Sequence, residues 1–243
     1  MCKQNGLSLV EIMLSLFLGI LLLTALAEHY LTAKSRYRHA YLLFEQGLEL
    51  ELVEDLIRNS ARRAGFTPCL NLNLLNSCDY RRKKPLRAIE IGVRPDALSI
   101  QRMSEYFSLI SEVTPEMLIV PSGVHFTTGE WIVIADCYHA EVQQVSYVRR
   151  NAGKTVLGLS KSLGFEYTAP VYLGEWIKEN FFIQKNHLGE KALYYQRDHA
   201  EELTPAVNKL SAQLQYNHGL SLLRVELGLK NKDNLIIETK IRS

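Results

Sequence analysis

The sequence predicts an α+β protein in which one long N-terminal helix precedes a β-rich domain of antiparallel strands. Three observations support this fold class. An almost uninterrupted apolar run fills residues 7–27. Apolar side chains then recur every three or four residues as far as Leu56, and no proline occurs before Pro68. Beyond Pro68 the pattern changes to the alternation of apolar and polar residues that is typical of strands.

The composition is that of an ordinary globular protein, but its charges are unevenly distributed. The chain has 243 residues, of which 47% are hydrophobic and 22% charged, and its formal net charge is +2. That balance gives no argument for nucleic acid or an anionic surface as a partner of the whole chain. The first 27 residues carry only two charged side chains, those of Lys3 and Glu11.

The apolar run is long enough to cross a membrane as a helix. At about 1.5 Å per residue its 21 positions span roughly 31 Å, the thickness of the hydrocarbon core. A cleaved secretory signal is one interpretation, because Ala25 and Ala27 form an A-x-A cleavage site before Glu28. Against it, the run exceeds the usual 7–15 residues of such signals and contains Glu11. A plain signal anchor and an anchor processed at Gly6 are the other interpretations.

The helical pattern continues beyond the apolar run. One predicted apolar face comprises Tyr30, Ala33, Tyr37, Tyr41, Phe44, Leu48, Leu52 and Leu56. Arg62 and Arg63 suit the negative end of a helix dipole, Gly65 suits the position after the helix, and Pro68 cannot continue it. The sequence therefore predicts one helix from about residue 7 to residue 64.

The strand predictions begin with a hairpin, residues 88–93 and 97–100 around Arg94-Pro95-Asp96. Further predicted strands are 117–120, 131–135, 141–148, 181–184, 192–196, 210–216, 220–227 and 235–241. Because these strands are short and closely spaced, we expect an antiparallel meander packed on the helix.

A search for catalytic or ligand-binding motifs gives no positive result, so we expect neither an enzyme nor a cofactor nor a small-molecule substrate. Gly153-Lys154-Thr155 ends like a phosphate loop, but Val148 stands where the first glycine belongs. Cys137 and His139 could share one face of a strand, but no second pair of metal ligands matches them.

One local cluster of positive charge is present, at Arg81, Arg82, Lys83, Lys84 and Arg87. The favoured interpretation is a solvated loop or a contact with an acidic partner subunit. Contact with DNA phosphates is the alternative, and Tyr80 is the one aromatic residue available for base stacking.

The N-terminal residues Gly6-Leu7-Ser8-Leu9-Val10-Glu11 resemble the type III prepilin signal of type IV pilins and type II secretion pseudopilins. The resemblance implies that a prepilin peptidase cleaves between Gly6 and Leu7 and that Leu7 becomes N-methylated. Glu11 would then be the fifth mature residue. Leu7 departs from the family pattern, in which phenylalanine is usual at that position.

Glu11 has a physical role in that scheme. After cleavage Leu7 carries a cationic amine at the membrane edge, and the carboxylate of a neighbouring subunit would neutralise it in a medium of low dielectric. The alternative is that Glu11 extends to the lipid headgroups.

Several later segments are similar to PilW-type minor pilins: residues 57–69, 131–137 with 142–145, 192–197, 201–203 and 240–242. The resemblance implies a low-abundance subunit that primes type IV pilus assembly with other minor pilins and the major pilin, at or near the tip. The J-type pseudopilin of type II secretion is the second interpretation, and a signal-anchored periplasmic protein is the third.

The resemblance also implies a location and a domain organisation. It places a single-pass segment in the inner membrane with a periplasmic head, which is later incorporated in the pilus. Lys34, Arg36 and Arg38 would favour the opposite orientation by the positive-inside rule. The implied segments are a leader (1–6), the transmembrane (7–27) and amphipathic (28–65) halves of the helix, and the head (66–243).

The cysteines fit an oxidising periplasm. Cys2 would leave with the leader. Cys69–Cys78 would stabilise the fold by about 2.7 kcal/mol and Cys69–Cys137 by about 4.4 kcal/mol in the chain-entropy model, and the spacing alone does not choose between them or exclude three free thiols. The resemblance implies Cys69–Cys137, with Cys78 left over.

Overall fold

The computed structural model describes residues 9–79, 84–92, 96–123, 125–151, 153–217 and 220–241. These residues form a long helix, α1 (Leu9–Arg62), a short 3₁₀ helix (Leu72–Leu74) and fourteen strands. The strands are β1 (Asn76–Asp79), β2 (Ile89–Ile91), β3 (Ala97–Leu109), β4 (Glu112–Val113), β5 (Met117–Pro121), β6 (Trp131–Ala135), β7 (His139–Asn151), β8 (Lys154–Leu159), β9 (Tyr172–Lys185), β10 (Lys191–Gln196), β11 (Ala200–Thr204), β12 (Val207–Asn217), β13 (Leu220–Leu229) and β14 (Asn234–Lys240). The chain forms two compact units, and the boundary between them lies within α1, between Glu51 and Leu52.

The part of α1 before this division is an exposed helix. It has no proline, and its apolar side chains from Leu9 to Leu26 are exposed. The helix is long and apolar enough to cross a membrane as a single-pass anchor. The prediction of one long helix is confirmed over Leu9–Arg62, and residues 7 and 8 lie outside the described ranges.

The second unit holds the last turns of α1 together with the β structure. Eleven of the described strands form one sheet, with β11, β10, β9, β6, β7, β8, β5 and β4 in that spatial order. On its other edge β9 pairs with β3, which in turn pairs with β2, and β1 pairs with β7. The remaining strands, β12, β13 and β14, form a separate antiparallel sheet. The class is therefore α+β.

Strand β6 shows why the core lies on both faces of the large sheet. Ile132 and Ile134 belong to one buried cluster, together with residues of β5 and β8. Val133 and Ala135 belong to the other, together with Met103 and Trp176. A strand that is buried on both faces needs apolar residues without alternation, and the sequence Trp131-Ile132-Val133-Ile134-Ala135 meets this need.

The predicted meander is correct for β12–β14 and for two runs within the large sheet, β6–β7–β8 and β9–β10–β11, whose consecutive strands pair antiparallel. The large sheet as a whole is not one meander. In the large sheet β6 lies between β7 and β9, and β1 runs parallel to β7. The physical reason is that alternation identifies a strand and its buried face but not its partner, which long-range packing selects.

Several strand boundaries were also predicted too narrowly. The predicted strand 181–184 is the end of β9, and the predicted strand 97–100 is the start of β3. The rest of both strands was not predicted because it contains many polar residues. Two of these, Arg102 and Glu179, are nevertheless buried and form an ion pair at 3.2 Å between β3 and β9. Strands β1, β4, β8 and β11 were missed. Strand β2 pairs with β3 as the predicted hairpin requires, although Arg94 and Pro95 lie outside the described residues.

The end of α1 is tied to β3 through its terminal glycine. Gly65 has φ +69°, its N–H donates to the Gln101 carbonyl at 2.8 Å, and its carbonyl accepts from the Leu72 N–H at 2.8 Å. A Cβ on Gly65 would lie 2.6 Å from Asn71 Oδ1 and 2.7 Å from the Ala88 Cβ. Glycine is therefore required here by both conformation and space.

We expect Gly65→Ala to lower the free energy of unfolding by about 2–4 kcal/mol, because it adds overpacking to left-handed strain. The matched control is Gly189→Ala. Gly189 also has a positive φ, +78°, but a Cβ there would meet open space. We expect this substitution to lower the free energy of unfolding by only about 1 kcal/mol. Chemical denaturation of the full chain in detergent micelles measures both values. Equal losses in the two variants would contradict the close approach at Gly65.

Candidate functional site

The first candidate site is the carboxylate of Glu11, in the first turn of α1. Glu11 is exposed, and the sequence contains no other charged side chain from residue 12 to residue 27. A carboxylate near the N-terminal end of a helix interacts favourably with the helix dipole. Gly6 and Leu7, the predicted cleavage and methylation positions, lie outside the described residues.

The hydroxyl groups in the apolar part of α1 are satisfied within the helix. Ser15 Oγ donates to the Ile12 carbonyl at 2.9 Å, and Thr24 Oγ1 donates to the Leu21 carbonyl at 2.9 Å. In a lipid environment such internal hydrogen bonds remove the cost of unsatisfied donors. Unlike a hydroxyl group, an ionised carboxylate carries a charge, and charged side chains are costly in lipid, so Glu11 stands out in this segment.

The helix face that the second unit buries differs from the predicted one. Val53, Ile57 and Ala61 are buried, whereas Leu52 of the predicted face is 70% exposed. Neighbouring residues on a helix lie about 100° apart, so two apolar stripes run side by side at this point. The predicted stripe stays largely exposed, at Tyr30, Tyr37, Tyr41, Phe44, Leu48 and Leu52. The sequence could not distinguish the stripe covered by the β structure from the one left exposed.

A disulfide joins Cys69, just after α1, to Cys137, between β6 and β7. This is the pairing that the resemblance implied. The two Cα atoms lie 5.2 Å apart, within the usual range for such bonds. The crosslink fixes the segment after the helix to the large sheet.

The third described cysteine, Cys78, is a free thiol. Burial raises its pKa, and Glu141 and Asp79 raise it further. The thiol therefore stays protonated at neutral pH. Cys137 is consumed by the disulfide, so the Cys137–His139 metal pair does not exist, and within the described ranges no three His, Cys, Asp or Glu side chains form a metal-binding group.

Two buried carboxylates, Asp136 and Glu141, hold the loop between β8 and β9 against the start of β7. Asp136 accepts hydrogen bonds from the backbone N–H groups of Tyr138, His139 and Thr168, the last at 2.9 Å. Glu141 accepts from the Gly164 N–H at 3.0 Å. The His139 ring also stacks on Phe165, with centroids 4.8 Å apart.

The two carboxylates are shifted in opposite directions. Burial by itself raises the pKa of Asp136, but its three N–H donors and the His139 ring outweigh burial and lower that pKa below the usual value. For Glu141, burial dominates and raises the pKa, since the Gly164 N–H and the Gln143 amide offset only part of it. The sequence analysis missed both residues. Asp136 could have been found, because an Asp that binds N–H groups two and three residues ahead is a common turn signal.

The predicted basic patch is described only in part, because Arg81, Arg82 and Lys83 lie outside the described ranges. Lys84 and Arg87 are exposed. Arg87 lines a cavity of about 690 Å³ between residues 71–77, residues 85–89 and the sheet of β12–β14. Since no carboxylate is among the lining residues that the structure describes, an anionic partner remains compatible with this patch.

The phosphate-loop fragment is part of a β-hairpin. Lys154 and Thr155 begin β8, and Lys154 pairs with Asn151 of β7 across the turn at Gly153. A phosphate loop instead needs a strand, a glycine-rich loop and a helix whose N-terminus meets the phosphates. The segment therefore does not form a nucleotide site of that type.

The two buried carboxylates should give opposite pH dependences of stability. Because the pKa of Asp136 is lowered in the fold, its carboxylate contributes its full stabilisation above about pH 4. This stabilisation is lost as the pH falls through the folded-state pKa. Because the pKa of Glu141 is raised in the fold, its protonated carboxyl group contributes its full stabilisation below about pH 4.3. This stabilisation is lost as the pH rises through the folded-state pKa. At pH 7 we expect Asp136→Asn to cost about 1–3 kcal/mol and Glu141→Gln to be neutral or stabilising.

Thermal unfolding of the full chain between pH 3 and pH 8 measures both effects. Glu116→Gln, which changes an exposed carboxylate, is the control and should leave the profile unchanged. A loss of stability in Glu141→Gln at pH 7 as large as that in Asp136→Asn would show that Glu141 is ionised and satisfied, contrary to this account.

Comparison with known proteins identifies no relative: no protein-family model, no curated protein and no solved structure matches the chain. A function for this chain must therefore be inferred from the geometry and chemistry of its own residues.

Proposed function

We propose that this chain is a PilW-like minor pilin that primes type IV pilus assembly and lies at or near the pilus tip. The observation that carries the proposal is the start of α1, where one carboxylate, Glu11, lies on the exposed surface of an otherwise apolar, membrane-length helix. In this account the protein acts by association with other subunits and catalyses no reaction.

The charge of Glu11 would be stabilised in the membrane by a cationic group of another subunit. An ionised carboxylate on a lipid-facing helix costs about 2.5–3.5 kcal/mol or more near the bilayer centre. A free amine at Leu7, created by a prepilin peptidase that cuts after Gly6, would supply a positive charge one helical turn away on an adjacent subunit. When the two groups pair, neither charge is left alone in lipid. The pairing therefore favours docking of the two helices in one axial register.

The exposed stripe of α1 supports association along the rest of the helix. Tyr30, Tyr37, Tyr41, Phe44 and Leu48 are exposed at helical spacing. Large apolar side chains left exposed in this number are typical of surfaces that pack against another chain. The other minor pilins and the major pilin are the partners we propose, with neighbouring helices packing on this stripe.

The second unit fits the periplasmic head of such a subunit. Its last helical turns are buried at Val53, Ile57 and Ala61, so the head is built directly on the end of α1. The Cys69–Cys137 disulfide fits an oxidising compartment, and the hydrogen bonds of Gly65 join the end of α1 to β3 within this unit.

The proposal is tested by Glu11→Gln in a strain that assembles the filament. The variant keeps the size of the side chain but removes the charge, so the partner amine is left unpaired in lipid. We expect insertion in the inner membrane to be unchanged and incorporation in sheared filaments to fall at least tenfold, because breaking a buried ion pair costs about 3–5 kcal/mol. Quantitative immunoblots of the membrane and filament fractions measure both.

The matched control is Glu28→Gln, which removes the next carboxylate along the helix, just beyond the apolar run. We expect it to be incorporated like the unmodified chain. Normal incorporation of Glu11→Gln, or an equal defect in both variants, would refute the charge-pairing account.

A further inference from the structure

An interruption in the large sheet lies along one edge of β9. On its first edge β9 is paired with β3 throughout Trp176–Glu179. On its second edge β6 covers β9 only as far as Glu175, and β10 begins to cover it only at Asn180. Among the residues that the structure describes, these four consecutive residues of β9 therefore have no strand partner on that side. In an antiparallel strand alternate residues point their N–H and C=O groups to the same edge, so peptide groups face this gap.

A cavity of about 230 Å³ lies at the gap, and we call it the β9 notch. The only two tryptophans of the chain, Trp131 and Trp176, both line it. Trp131 begins β6 at one end of the notch, and Gln196 ends β10 at the other. Asn180 and Asp198 complete its main polar lining.

Trp176 contributes to the notch from a position that is mostly buried in the core. It is 6% exposed, and it packs with Met103 and Val133. Its indole Nε1 atom is itself buried and donates to no acceptor in the part of the chain that the structure describes. The polar contacts of a ligand in the notch would therefore come from the other lining side chains.

The residues that line the notch include two acidic and two basic side chains, those of Glu175, Asp198, Lys178 and Arg197. Arg197 Nη2 lies 2.8 Å from Glu175 Oε1, and Lys178 Nζ lies 3.7 Å from Glu90 Oε2. The Asn180 Oδ1 atom already accepts from Ser99 Oγ, which leaves the amide N–H₂ of Asn180 available as a donor. The notch thus offers donors and acceptors together with aromatic surface, without a strong excess of either charge.

The shape of the notch excludes an added strand. An extended peptide would have to lie in line with β6 and β10, and both strands block the gap after four residues. A volume below the 300–1,000 Å³ of drug-sized sites also favours a compact ligand. A compact neutral molecule with hydroxyl groups on its edges and C–H groups on its faces has the matching chemistry. We propose that the β9 notch binds a single neutral sugar ring, with hydroxyls at Asn180, Gln196 and Asp198.

The two tryptophans make the test direct, because both line the notch and selectively excited tryptophan fluorescence therefore reports on it. The full chain, in micelles of a zwitterionic detergent without a sugar headgroup, is titrated with the methyl glycosides of glucose, galactose, mannose and N-acetylglucosamine. We expect a saturable change for at least one of them, with a Kd on the order of 1 mM, as suits a ligand of this size. Asp198→Ala and Gln196→Ala should each weaken binding roughly threefold to tenfold, as the loss of one hydrogen bond predicts.

The control is Gln213→Ala, which removes an exposed amide on β12 and should leave the Kd unchanged. Unchanged thermal unfolding of the three variants shows that each is folded. The proposal is overturned if no glycoside gives a saturable response at ten times the expected Kd, which would mean that the notch holds water only. It is also overturned if trialanine binds as tightly, or if Gln213→Ala weakens binding as much as Asp198→Ala does.

Discussion

The proposed role of this protein depends on the cost of one negative charge in lipid. Glu11 is the one carboxylate in a segment that is otherwise apolar and exposed. An ionised carboxylate is costly in lipid, whereas the hydroxyl groups of Ser15 and Thr24 donate within α1. In the proposed function a positive charge from another subunit would offset this cost, and assembly would then be energetically coupled to the anchor itself.

The second unit is organised around the point at which the helix ends. Gly65 allows the chain to turn directly onto β3, and the Cys69–Cys137 disulfide joins the next segment to the connection between β6 and β7. On the far side of that connection Asp136 and Glu141 hold the loop between β8 and β9. The disulfide and the hydrogen bonds of the two carboxylates thus connect successive parts of this unit to the sheet. The apolar stripe of α1 and the β9 notch stay exposed.

The sequence predicted what local patterns can encode. The helix, its end near Gly65 and strands such as β5, β6 and β10 follow directly from periodicity and from glycine and proline positions. It did not predict the partners of β6, the parallel pairing of β1 or the length of β9, because these depend on packing between distant residues. Arg102 and Glu179 illustrate the limit: each looks like a surface residue until the other is known to lie 3.2 Å away. Glu141 and the β9 notch could not be predicted for the same reason, whereas Asp136 carries a local turn signal that could have been recognised.

The exposed stripe on α1 was predicted as a packing face, but the β structure covers a neighbouring stripe instead. This difference agrees with a helix that serves two partners, its own head and an adjacent subunit. The most direct test of the central claim is the N-terminal residue of the mature protein, measured by mass spectrometry of the chain purified from membranes. The account predicts a chain that begins at N-methylated Leu7, with Glu11 as its fifth residue. A chain that begins at Glu28 would lack both the anchor and the carboxylate, and would contradict it.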